Sequence, residues 1–194
     1  MSAGLQLVAF RCPSCNTDFK TEDNAVFVYC GSCGSGYELN QQEEWKQIPV
    51  YFAQAVETET TSNTFFPFWA FDAHLNLISR DANKKLFGNP KGLIGAFQER
   101  GTIRFYAPAF PQDLDAKRPS ALDLTYEQPD LKFIQRQPRL PAVLISQEDA
   151  RKIADYLFIA SEAEQSDMLR NLRYELILEN PCVIAIGGKD RERR

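Results

Sequence analysis

"RCPSCNTDFKTEDNAVFVYCGSCGSGYEL", residues 11–39, decides how the rest of the chain is read. Four of the five cysteines stand here in two CxxC pairs, Cys12/Cys15 and Cys30/Cys33. A CxxC turn brings two thiolates onto one side of a tight backbone loop. Two such turns complete a tetrahedron of sulfur around one ion at about 2.3 Å per bond. Pro13 can pre-set the first turn, and Gly31 and Gly34 let the backbone bend closely around the second. Fourteen residues separate Cys15 from Cys30, just below the spacing of zinc sites built from two CxxC pairs. That length lets one strand leave the first knuckle and another return. "AVFVY" before Cys30 reads as such a strand, and "GYEL" after Cys33 continues it.

Other chemistries compete for the same residues. "CGSCG" also looks like a rubredoxin knuckle, where the metal would be iron. Rubredoxins place a longer segment between their pairs, and "CPSCN" lacks the glycine after its second cysteine. A thioredoxin-like centre would need one CxxC in a βαβ context. The stretch "MSAGLQLVAFRC" shows no signal peptide, and no run approaches the roughly 18 apolar residues of a membrane span. A cytoplasmic location is therefore expected, where thiols stay reduced and structural disulfides are disfavoured.

With "CPSC" and "CGSC" as its two knuckles, the sequence resembles the zinc-ribbon families over roughly residues 8–40. The resemblance implies one structural zinc held by Cys12, Cys15, Cys30 and Cys33. It implies no single function, because ribbons serve nucleic-acid binding, protein binding and scaffolding alike. A catalytic zinc keeps an open position for water, whereas four thiolates close the sphere. The only histidine, His74, lies far along the chain. A piece of about 40 residues buries too little apolar surface to fold alone, while structural zinc contributes on the order of 10–16 kcal/mol in small fingers. Cys182, in the apolar run "PCVIAIG", reads as a small core residue.

The 194 residues suffice for one ordinary domain plus a small appendage. Hydrophobic residues at 44% and charged ones at 25% describe a globular chain rather than a disordered one. Fourteen Phe, seven Tyr and eleven Pro suggest many strands and turns. "WKQIPVYFAQAVE" reads as a strand with Ile48, Val50 and Phe52 on one face. In "TFFPFWAFDAHLNLI", Ala73, Leu75 and Leu77 alternate with Asp72, His74 and Asn76. "TIRFYAPAF" reads as another strand. "LRYELILENPCVIAIGG" reads as two strands joined at Glu179-Asn180-Pro181. A short helix follows Pro119, and a longer one starts near Ser146, whose hydroxyl can cap it with Asp149 three residues on. Its stripe is Ala150, Ile153, Ala154 and Leu157. The expected fold is α+β: a small N-terminal four-cysteine zinc ribbon, residues 1–44, packed on a mainly antiparallel sheet domain with one or two helices, residues 45–194.

Two further stretches stand out. "FFPFWAF", residues 65–71, reads as sheet core and ribbon contact, with a stacking or partner-binding patch as the alternative. Its Pro67-Phe68-Trp69 segment also resembles a loosely defined set of uncharacterised bacterial proteins in which a double-CxxC ribbon precedes "PFW". Residues 80–101 form the one locally basic region. Lys84–Phe97 are offered as an exposed element that docks on a protein partner, with Leu86, Phe87, Leu93, Ile94 and Phe97 as anchors.

No Ser/His/Asp or Cys/His grouping emerges, so no catalytic residue is assigned and an enzyme is not expected. The net charge of −4 opposes a nucleic-acid backbone. The leading expectation is a non-catalytic zinc-binding subunit or adaptor. Nucleic-acid binding through the ribbon, with Arg11 and Lys20 beside the first knuckle, comes second; a rubredoxin-like electron carrier comes third and a hydrolytic enzyme last.

Overall fold

A computed structural model describes residues 11–20, 25–39, 44–55, 64–82, 92–110, 120–135, 137, 139–164 and 169–188. The class is α+β, with two sheets and three helices among the described residues. The first sheet is antiparallel, in the order β1 (Phe27–Tyr29), β2 (Gly36–Leu39), β3 (Trp45–Ile48). Phe27 stands opposite Glu38, and Glu38 opposite Lys46. The second sheet holds β4 (Val50–Ala55), β5 (Thr64–Ala82), β6 (Thr102–Pro108), β7 (Leu131–Phe133) and β8 (Leu169–Gly188). Their spatial order is β6-β5-β8-β4-β7. Only the β4–β8 pair is parallel.

"WKQIPVYFAQAVE" is therefore two strands, not one. Pro49 lacks an N–H for either ladder, and the chain passes there from the first sheet to the second. Ile48 and Phe52 are still buried, as the alternation requires. The reverse holds at the other end, where the expected break at Glu179-Asn180-Pro181 lies inside one strand. Asn180 takes a positive φ of 48°, and the register against β5 shifts between Ala70 and Asp72. The break is a bulge, which bends a strand without ending it.

The aromatic run explains itself through the pleat. Phe66, Phe68 and Ala70 face one side of the sheet, while Trp69, Phe71 and Ala73 face the other. Both sides are covered, so the run is apolar without a break. Pro67 fits because its carbonyl accepts the Ala109 amide at 3.2 Å. Its missing N–H thus points away from β8.

Helix α2 (Ala121–Glu127), capped by Ser120, packs on the Phe68 side. Helix α3 (Gln147–Glu164) packs on the Trp69 side with Ala150, Ala154 and Phe158 fully buried. The Ser146 hydroxyl accepts the Asp149 amide at 3.1 Å, as an N-cap should, and donates back to the Asp149 carboxylate at 2.8 Å. A third helix, α1 (Leu93–Arg100), occupies the second half of the basic region. Leu93, Ile94 and Phe97 are buried, and Phe97 meets Phe158 edge-on at 6.4 Å. They are core residues, not exposed anchors: positions i, i+1 and i+4 share one helical face, and that face finds α3. The part of the expected docking element at residues 84–91 lies outside the described residues.

The outer edge of β6 is closed by side chains from the last turn and C-cap of α2. Gln128 accepts the Arg104 amide at 2.8 Å and returns a bond to the Arg104 carbonyl at 2.7 Å. Thr125 accepts the Tyr106 amide at 3.0 Å. A carboxamide here does the work of a neighbouring strand.

Candidate metal centre

The two knuckles have the same backbone. In the first, the Cys12 amide donates to Thr17 O at 2.9 Å and the Asn16 amide returns to Cys12 O at 2.8 Å. In the second, the Cys30 amide donates to Ser35 O at 2.8 Å and the Gly34 amide returns to Cys30 O at 2.7 Å. The residue after each second cysteine is left-handed, Asn16 at φ 59° and Gly34 at φ 83°. The glycine missing from "CPSCN" is thus replaced by asparagine, the L-residue that best tolerates this conformation.

The folded chain brings Cys12, Cys15, Cys30 and Cys33 together, with their sulfurs all within 4.8 Å of one another. Cys12 Sγ lies 3.6 Å from Cys33 Sγ, and Cys15 Sγ lies 3.5 Å from Cys30 Sγ. A tetrahedron with about 2.3 Å from centre to sulfur has edges of about 3.8 Å, so the four thiols fit one metal ion. None of the five cysteines is disulfide-bonded. Cys182 is buried on the Phe68 side of the sheet, as expected of a core residue.

Hydroxyls surround the sulfurs in the same pseudo-symmetric way. Thr17 Oγ1 lies 3.3 Å from Cys15 Sγ, and Ser35 Oγ lies 3.3 Å from Cys33 Sγ. Burial acts against the Cys33 thiolate, but the hydroxyl and amide of Ser35, with Cys12 and Cys30, bring its pKa down to about 6. Burial pushes the Cys30 thiol up to about 11. The Thr17 hydroxyl and amide lower that of Cys15. Phe19, Tyr37 and Trp45 pack beneath the knuckles with ring centroids 5.8–6.1 Å apart. Tyr37 also bonds Ser14 at 2.5 Å. Sequence reasoning did not single out this aromatic support. Its one signal is that the three rings flank the cysteines within a short span.

The opposite side of the ribbon is joined to the main core. Phe27 meets Trp69 edge-on at 5.8 Å, and Trp69 Nε1 donates to Ile145 O at 2.8 Å. Glu38 accepts the Gln147 amide at 2.6 Å and so caps α3 from the ribbon. Gly36 is required here, because a Cβ would run into Phe27 and Val50.

His74 stands away from the cysteines, on the open side of β5. Thr102 Oγ1 lies 3.1 Å from its Nδ1, and Glu179 lies 3.8 Å from its Nε2. Both side chains of the latter pair are about half exposed, so water competes for each contact.

No protein-family model matches the chain, and neither curated proteins nor solved structures give a match. No helix among the described residues is long and apolar enough to cross a membrane.

Proposed function

We propose that Cys12, Cys15, Cys30 and Cys33 hold one structural zinc in a closed ribbon site, and that the protein works without catalysis, as a subunit or adaptor for another protein. The observation that carries this reading is the set of four thiols within 4.8 Å. Four sulfurs fill a tetrahedral sphere and leave no position for substrate. A tetrahedral set of four soft thiolates is a donor set that suits zinc, with iron as the alternative that metal analysis distinguishes. The ribbon's other face contributes Phe27 and Ile48 to the main core, which supports a metal that orders a scaffold. A net charge of −4 weighs against a nucleic-acid partner, since counterion release needs several neutralised phosphates.

Affinity purification of the tagged full chain from its native cells, followed by mass spectrometry, tests the adaptor role. A stoichiometric protein partner retained through salt washes is the expected result. Recovery of nucleic acid in its place, or turnover of a substrate by the purified chain, would displace the reading.

A further inference from the structure

Beside the seam between ribbon and main sheet, the chain leaves a cleft of about 750 Å³. One wall is the ribbon, with Lys20 and the second knuckle. The other is the segment from Arg139 to Val143, joined by Phe65 at the start of β5. Phe27, Tyr29, Phe65 and Leu140 give it an apolar lining. Its charged groups are not balanced. Asp18 is held by Arg11 at 3.1 Å. Lys20 and Arg139, both exposed, make no ion pair among the described residues. Among the described residues, two exposed cations without an ion pair thus line this apolar cleft of an acidic chain.

We propose that this cleft binds an acidic peptide segment of a partner protein. A large apolar side chain would rest on Phe65 and Leu140, and carboxylates would meet Lys20 and Arg139. The proposal rests on the adaptor reading and gives it a surface. A cleft of this size holds a few residues of an extended chain. Apolar anchors inside a charged rim are what such a segment requires. Two cations match one or two carboxylates, whereas a nucleic acid would bring many phosphates into the field of an acidic protein.

The test is selection of phage-displayed random peptides on the metal-loaded full chain, with affinities then measured by fluorescence anisotropy. Enrichment of peptides that combine Asp or Glu with a large apolar residue is expected. Their affinity should fall at least about tenfold in a Lys20→Glu/Arg139→Glu variant and weaken with salt. Both positions are exposed, so metal content and melting temperature should not change. Absence of enrichment, enrichment of basic peptides, or affinity unchanged in the double variant would overturn the proposal. So would a single-stranded oligonucleotide that displaces the peptide, or a homodimer that the double substitution dissociates. A native partner that still co-purifies with the double variant would sink the cleft and leave the adaptor role standing.

Discussion

The Glu162 carboxylate lies directly against the backbone of Gly92, at the start of α1. It is fully buried, and its Oε1 accepts the Ile94 amide at 3.0 Å. Gly92 has no side chain to cap the helix, so the carboxylate from α3 takes that part. A Cβ at position 92 would collide with it. Gly92→Ala should therefore push the acid off the helix and strand buried polar groups, at a cost of about 1–3 kcal/mol. The urea midpoint should fall with an unchanged slope and unchanged metal content. An unaltered midpoint would mean that the acid is not a cap.

Gln128 invites a second test. It is left-handed, at φ 46° and ψ 56°, and its amide closes the β6 edge. Gln128→Ala removes those bonds while keeping the strained backbone, so a loss of about 1–3 kcal/mol is expected. Association should also rise at high protein concentration as the edge becomes available. Gln128→Gly should lose about 1 kcal/mol less, because glycine relieves the strain. Equal stability of the two variants would contradict this account of the position.

The protein has two tryptophans, and they report on different parts. Trp45 packs against Phe19 and Tyr37 beneath the knuckles, and Trp69 is buried in the main core. Chelation of the metal should shift the emission of a Trp69→Phe variant to the red. It should leave that of a Trp45→Phe variant nearly unchanged. Loss of both signals together would mean that the metal sustains the whole fold.

Metal affinity should depend on pH with a predictable sign. Near neutrality Cys30, pushed up to about 11, holds a proton that the ion must displace. Cys33, brought down to about 6, is largely thiolate already. Affinity should thus rise with pH through the neutral range. Below about pH 6 the slope should steepen, as Cys33 also takes up a proton. Competition titration with a chromophoric chelator measures the slope, and a flat profile would argue against thiolate ligation.

The cysteine knuckles were legible because their geometry follows from covalent spacing, and the aromatic strand was legible because alternation sorts its side chains. Asn16 was not, since an asparagine gives no outward sign of a left-handed backbone. Helix α1 was hidden among lysines and glycines; its burial depends on Phe158 and Glu162, which are remote in sequence. The same holds for Pro49 and the 179–181 bulge. Whether a proline ends a strand or passes between sheets is decided by which ladder receives the chain.

The most direct measurement is the metal content of the natively purified chain, by native and inductively coupled plasma mass spectrometry, beside Cys→Ser variants at positions 12, 15, 30 and 33. The expected result is one zinc per wild-type chain, weakened or lost in every variant. Iron with thiolate-to-iron absorption bands, no metal at all, or zinc bound undiminished in the variants would contradict a closed four-thiolate zinc site.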